Sequence, residues 1–406
     1  MKKIFKDYKD AINSFSGNAK LFLVALFILS MSQGGFNTIF NLYLSSGGIR
    51  NSVIGYIISM GGIGAAIMSI PSGILSDRIG RKKVLLFGAT LIPLTLLISA
   101  ITINPKILFI SYLAYGAAGA ILRITTNPFL AENSGIYERV HLFSLAFIST
   151  MLGNMTGSFL SGRIGNLFTT NEFLSMRYSL IFFALISFLS FIFLLIIKEI
   201  KRERDIERLK MTFREDLSVA VKFITQRGLI ALGAGFIVPF FNLYFSQVFG
   251  LKPESIGNIF SVMSIFFFVF AFFGPHLSKK IGIVKSVVFF ELASLPFLVI
   301  LGNRPPLTLA ILSFWIRGGL MNSVAPLNST LLMNLISEER RGTIQSFANL
   351  VWNILRSVGT FFGGILIEKR GFGLNFYITL IIYSTTIVIY YLMFSKYEKV
   401  LSQKKG

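Results

Sequence analysis

Three arginines, Arg123, Arg317 and Arg356, interrupt stretches that are otherwise apolar. A guanidinium there can bind an anion through its planar fork of donors, or it can hydrogen-bond to the chain around it. Amides accompany all three. Asn127 follows Arg123 by one helical turn, and Asn328 returns to the face of Arg317 eleven residues on. Gln345, Asn349, Asn353, Arg356 and Thr360 form a stripe at steps of four, four, three and four. Gln33, Asn37 and Asn41 stand at i, i+4 and i+8, so three amides share one helical face. Asn242 and Gln247 keep part of that pattern later in the chain. Glu291 is a carboxyl in the middle of an apolar run. It could carry a proton, belong to a buried structural pair, or simply stay protonated. No nucleophile, base and orienting group fall together as catalysis would need, so an enzyme is not expected. With no cysteine and only two distant histidines, His141 and His276, neither a metal site nor a cofactor is expected.

The elements that hold these residues are membrane helices. The chain is 53% hydrophobic and only 14% charged, with 43 Phe. Its mean hydropathy is +0.71. Apolar runs of spanning length predict twelve helices, at about 20–45, 52–76, 84–103, 107–131, 141–164, 178–197, 228–249, 255–276, 284–302, 307–333, 342–367 and 373–394. The predicted class is therefore an all-α membrane protein. Lipid cannot satisfy amides or charges, so the polar faces must look into protein or a wet cavity. Such faces also serve interhelical hydrogen bonding, which is the structural alternative.

The net charge of +21 invites a nucleic-acid reading, but its distribution argues otherwise. Of 39 Lys and Arg, 28 fall in loops on the side of both termini and seven on the opposite side. That asymmetry predicts cytoplasmic termini in a multi-pass cytoplasmic (inner) membrane protein, with no nucleic-acid partner. Residues 198–227 are the one long polar stretch, too charged to insert. There Thr212 to Glu215 reads as a capping box, followed by an amphipathic helix with Leu217, Ala220, Val221 and Ile224 on one face.

The link between the second and third runs carries Gly73, Leu75, Asp77, Arg78, Gly80, Arg81 and Lys82. Gly80 sits where a tight turn needs positive φ. This pattern resembles the signature loop of the major facilitator superfamily, G-x-L-[A/S]-D-R-x-G-R-[K/R]. The chain also repeats itself at a spacing of about 201 residues. Phe40-Asn-Leu-Tyr-Leu-Ser45 returns as Phe241-Asn-Leu-Tyr-Phe-Ser246, and the loop returns, degraded, before Gly282. Two pseudo-symmetric six-helix bundles are expected, residues 1–197 and 228–406 joined by 198–227, with a binding site between them near the midplane.

The resemblance implies a secondary transporter that moves a small-molecule solute by alternating access. It makes Gly73, Asp77, Arg78, Gly80, Arg81 and Glu132 a cytoplasmic gate, with Arg81 pairing to Glu132. It makes Gln33, Asn37, Asn41, Arg123, Asn127, Asn242, Arg317, Asn328, Asn349, Asn353 and Arg356 the lining of the substrate cavity. A coupling ion, H+ or Na+, and a monomer are the further expectations. The fifth run, Gly153 to Gly162, partly resembles the glycine-rich element of proton-coupled drug exporters, but Ser158 replaces its proline. Efflux of amphipathic or drug-like compounds is the first expectation for the solute, resting on walls rich in Phe and Met. Uptake or exchange of an organic anion is the second, resting on the arginines. A lipid flippase or scramblase is a reading from another class.

Overall fold

The computed structural model of the chain describes residues 12–199, 217–336 and 338–403. Among them are twelve helices long and apolar enough to cross a membrane. The first six are Gly17–Ser46, Asn51–Met68, Arg81–Ile101, Pro105–Glu132, Glu138–Leu167 and Glu172–Ile196. The second six are Leu217–Phe249, Pro253–Ile281, Ile283–Gly302, Leu307–Leu335, Arg340–Arg370 and Phe372–Glu398. Local chemistry sets several of their starts. The side chains of Ser16, Asn104 and Asn171 each accept a hydrogen bond from a first-turn N–H, at 3.2, 3.0 and 3.1 Å. Pro105 and Pro253 open helices where the missing N–H costs nothing.

Two boundaries differ from the sequence reading. That reading carries the second span on to 76, but the helix stops at Met68, and a separate helix, Pro71–Ile79, follows. Pro71 lacks an N–H and crowds the residue before it, which breaks the ladder at that point. The signature residues Gly73, Asp77 and Arg78 therefore ride on a short helix, and Gly80, at φ 101°, is the turn into the third span. The seventh span begins at Leu217, well before the expected 228. Residues 217–227 are thus its first turns, in place of the expected separate amphipathic helix. The expected apolar face is divided: Ala220 is buried, while Leu217 and Val221 are exposed. Phe223 joins Ala220 in an apolar cluster with Val287, Phe290, Leu331 and Tyr390. Thr212 to Glu215 lie outside the described residues. The seventh span also changes pitch, with a 3-10 turn at Val238–Phe240 around Pro239.

The chain falls into two compact units, Met1–Gly47 with Ile63–Glu207 and Lys252–Ser261, and Gly48–Gly62 with Arg208–Leu251 and Val262–Gly406. In the first unit, the first span packs on the fifth and sixth, and the third packs on the fourth and sixth. In the second unit, the seventh packs on the eleventh and twelfth, and the ninth packs on the tenth and twelfth. Each pairing becomes the other when six is added to the span number. The sequence repeat is therefore also a repeat of packing. A methyl placed on Gly157 would collide with the Met31 carbonyl, so the fifth span's small residues serve close packing on the first.

Candidate functional site

In the first unit, the fourth span presents Tyr115, Gly119, Arg123 and Asn127 at steps of four. Space is open above Gly119, and Arg123 and Asn127 are both exposed. Tyr115 hydrogen-bonds to Asn37 of the first span and is an electrostatic neighbour of Arg123. The structure thus brings Asn37, Tyr115 and Arg123 together. Asn37 is exposed, Gln33 is half-buried and Asn41 is buried. Tyr115 is a member that sequence reasoning missed, since one tyrosine within an aromatic-rich apolar run carries no distinguishing mark. Chemically the stripe offers a guanidinium, amides and a phenol to an anionic or hydroxylated organic molecule.

The second unit uses its arginines differently. Arg317 is only 4% exposed. Its guanidinium lies 5.9 Å from the ring centre of Phe241 and 5.7 Å from that of Tyr383, and it hydrogen-bonds to Tyr383. Two aromatic faces thus replace part of the lost hydration. Its Nε has no hydrogen-bond partner among the described residues. Arg356 is half-buried and also acts electrostatically on Tyr383. In the same stripe Gln345 donates to Asn349 at 3.3 Å, and Asn353 is half-buried. Asn328 is buried, its Oδ1 accepting from the Tyr390 hydroxyl at 3.2 Å. Asn242 is buried too, and its Oδ1 accepts from the N–H of Leu243 at 2.9 Å. Asn328 thus ties the tenth span to the twelfth, while the bond at Asn242 is local to its own helix. Glu291 is buried and accepts from Gln226 Nε2 at 3.2 Å.

The signature residues form a compact cluster. Arg81 Nη2 lies 2.7 Å from Asp77 Oδ1, and its Nε lies 3.4 Å from Glu132 Oε1. Its Nη1 donates to Ser76 Oγ at 2.7 Å. Arg81 and Glu132 are mostly buried, while the Asp77 side chain is half exposed. One guanidinium so ties the short helix to the end of the fourth span, and Gly73 is half-buried on that helix. Arg78 is exposed. At the other end of the first unit, Arg163 lies 3.3 Å from Glu254, donates to Asn258 at 2.8 Å and stacks over Phe159. Among the described residues, no grouping of His, Cys, Asp and Glu could hold a metal ion.

The sequence profile of the Major Facilitator Superfamily matches residues 22–225 and again 223–406. A gallate transporter of Pseudomonas putida is 32% identical over 114 residues, which is 28% of this chain and 25% of the relative. The chain therefore matches only about a quarter of that relative's length. Among solved structures, a point mutant of the nucleoside transporter NupG superposes with a TM-score of 0.78 at 16% identity, covering 93% of this chain and all (100%) of that one. The human organic anion transporter MFSD10 superposes with a TM-score of 0.63 at 14% identity, covering 92% and 100%. At these identities the structural likeness shows the fold.

Proposed function

The chain belongs to the Major Facilitator Superfamily, and from that premise we propose that it takes up or exchanges a small organic anion. The coarser activity, secondary transport of a small solute across a membrane, is the family's own. The observation that carries the finer reading is Arg123. It is exposed on a stripe that faces open space, with Tyr115 and Asn37 beside it. Among the described residues no carboxylate forms an ion pair with it. A cation kept in a spanning helix without a carboxylate counter-ion is suited to a ligand that brings the negative charge. The partly matched gallate transporter is named for an organic anion, which favours the same class.

Export of drug-like compounds has less behind it, because much of the aromatic content is spent on packing. Phe241 and Phe245 are buried, with their ring centres 4.6 and 5.4 Å from that of Phe314. Residues 1–197 and 217–406 are the proposed moving bodies and 198–216 is their link, shorter than the sequence alone suggests because 217–227 opens the seventh span. The proposed setting is the inner membrane, with both termini cytoplasmic.

Counterflow in proteoliposomes tests the reading, with labelled hydroxybenzoates as probes. Wild-type protein should exchange them, and Arg123→Gln should weaken exchange about tenfold or more, as expected for a lost charge-assisted hydrogen bond. Movement of a cationic dye or a labelled lipid, with no hydroxybenzoate exchange, would overturn it.

A further inference from the structure

Glu291 and Gln226 form a pair whose hydrogen-bond arithmetic does not close. Glu291, on the ninth span, is 1% exposed, and Gln226, on the seventh, is 2% exposed. Gln226 Nε2 donates to Glu291 Oε1 at 3.2 Å. That leaves Glu291 Oε2 and Gln226 Oε1, and neither has a hydrogen-bond partner among the described residues. Buried polar atoms are normally paired, and two orphans on the two partners of one bond point to one missing group. Both orphans are acceptors, so what is missing is a donor. A single proton on Oε2, donated to the amide oxygen, supplies it and closes an acid–amide ring of two hydrogen bonds.

The surroundings favour a neutral pair. Val287, one turn before Glu291, and Phe223, just before Gln226, both belong to the buried apolar cluster. Ser294 Oγ donates to the backbone carbonyl of Glu291, not to its carboxyl. Two tyrosines bear on the pair directly, and four charged groups act through them or stand beside them. Tyr383 and Tyr390 of the twelfth span are electrostatic neighbours of Glu291. Arg317 of the tenth and Arg356 of the eleventh act on Tyr383, and Glu398 acts on Tyr390. Arg227, beside Gln226, lies over the rings of Phe223 and Trp352.

We propose that the Glu291–Gln226 pair is a proton-binding site, with one proton held on Glu291 Oε2 and donated to Gln226 Oε1. Uptake converts a carboxylate and an aqueous proton to the neutral acid, and release reverses it. The accepting amide lies on Leu217–Ile237, which the 3-10 turn at Val238–Phe240 separates from the rest of the seventh span. A shift of that segment would remove the acceptor and release the proton. The use of such a site as the coupling position rests on the transport reading above. The site itself does not.

Infrared pH-difference spectra of the purified protein in lipid vesicles test it without any solute. The wild type should show a carboxylic-acid carbonyl band that disappears in Glu291→Gln. In Gln226→Leu the same band should shift, because the acid carbonyl loses its donor. A merely structural glutamate would produce neither change. Should Glu291→Gln fold poorly, the band shift in Gln226→Leu still decides. Wild-type and Glu291→Gln spectra that superimpose in the carboxylic-acid region at every pH would overturn the site. So would a band unmoved in Gln226→Leu. Either result would leave the organic-anion reading, read by counterflow, untouched.

Discussion

The Glu199 carboxylate accepts the backbone N–H of Lys82 with both oxygens, at 3.3 and 3.1 Å, and so closes the amino end of the third span. The second unit repeats the device. Glu398 accepts from the N–H of Val284 at 2.7 Å and of Lys285 at 3.3 Å, at the start of the ninth span. Glu199 stands just past the end of the sixth span and Glu398 at the end of the twelfth, each beside a glycine of positive φ, Gly80 at 101° or Gly282 at 91°. First-turn N–H groups have no partner within the helix, and the helix dipole favours negative charge there. The signature loop's second copy has lost its acidic and arginine residues, with Lys279 and Lys280 where Asp77 and Arg78 stand, yet it keeps this cap.

The cap at Glu398 should be worth more than the one at Glu199, since Glu398 is half-buried and Glu199 exposed. Glu398→Ala should lower stability by about 1 kcal/mol, the usual loss on removing a capping side chain. Thermal unfolding of the detergent-purified variants reads this. A midpoint for Glu398→Ala equal to that of wild type, or above that of Glu199→Ala, would remove the cap's structural role.

The Arg81 cluster should matter more for turnover than for stability. Asp77 is half exposed, and exposed pairs contribute only about 0–1 kcal/mol. Asp77→Asn should therefore shift the unfolding midpoint little while it slows solute exchange. Arg81→Ala should slow exchange further, because it also leaves the mostly buried Glu132 without its cation. Unchanged counterflow in both variants would mean the cluster has no part in the transport cycle.

The twelve spans were legible because apolar length is a strong signal, and the repeat was legible because whole motifs return in register. What stayed hidden depends on side-chain partners drawn from distant spans. Glu199 falls in the polar stretch and Glu398 beyond the last expected span, so neither stands out, although their spacing follows the repeat and could have linked them to Gly80 and Gly282. The break before Pro71 was readable from the proline alone, but the apolar run continued past it and outweighed it. Gln226 looked like part of a polar linker, because nothing in sequence reveals that an amide one residue from Arg227 is buried against Glu291. Spacing alone also gave Arg123 and Arg317 the same character. Burial and the rings of Phe241 and Tyr383 distinguish them.

That distinction leads to opposite expectations for the two arginines. Arg123 is exposed, so Arg123→Gln should leave stability within about 0.5 kcal/mol, as for surface substitutions generally. Arg317 is enclosed, and its guanidinium is held by two ring faces and one phenol in place of a carboxylate. Each ring face contributes up to about 2 kcal/mol when desolvated. Removing a guanidinium from water costs several kcal/mol, and an apolar residue of similar volume often restores about 1–4 kcal/mol at buried ionic sites. The desolvation term is the larger, because the Arg317 Nε also goes without a partner. Arg317→Met should therefore hold or raise the unfolding midpoint, even though it deletes a buried hydrogen bond to Tyr383. Chemical or thermal unfolding of the two variants beside wild type measures both effects. A fall of more than about 2 kcal/mol in Arg317→Met, well above the typical single-site loss of about 1 kcal/mol, would instead make Arg317 a structural tie between the seventh, tenth and twelfth spans.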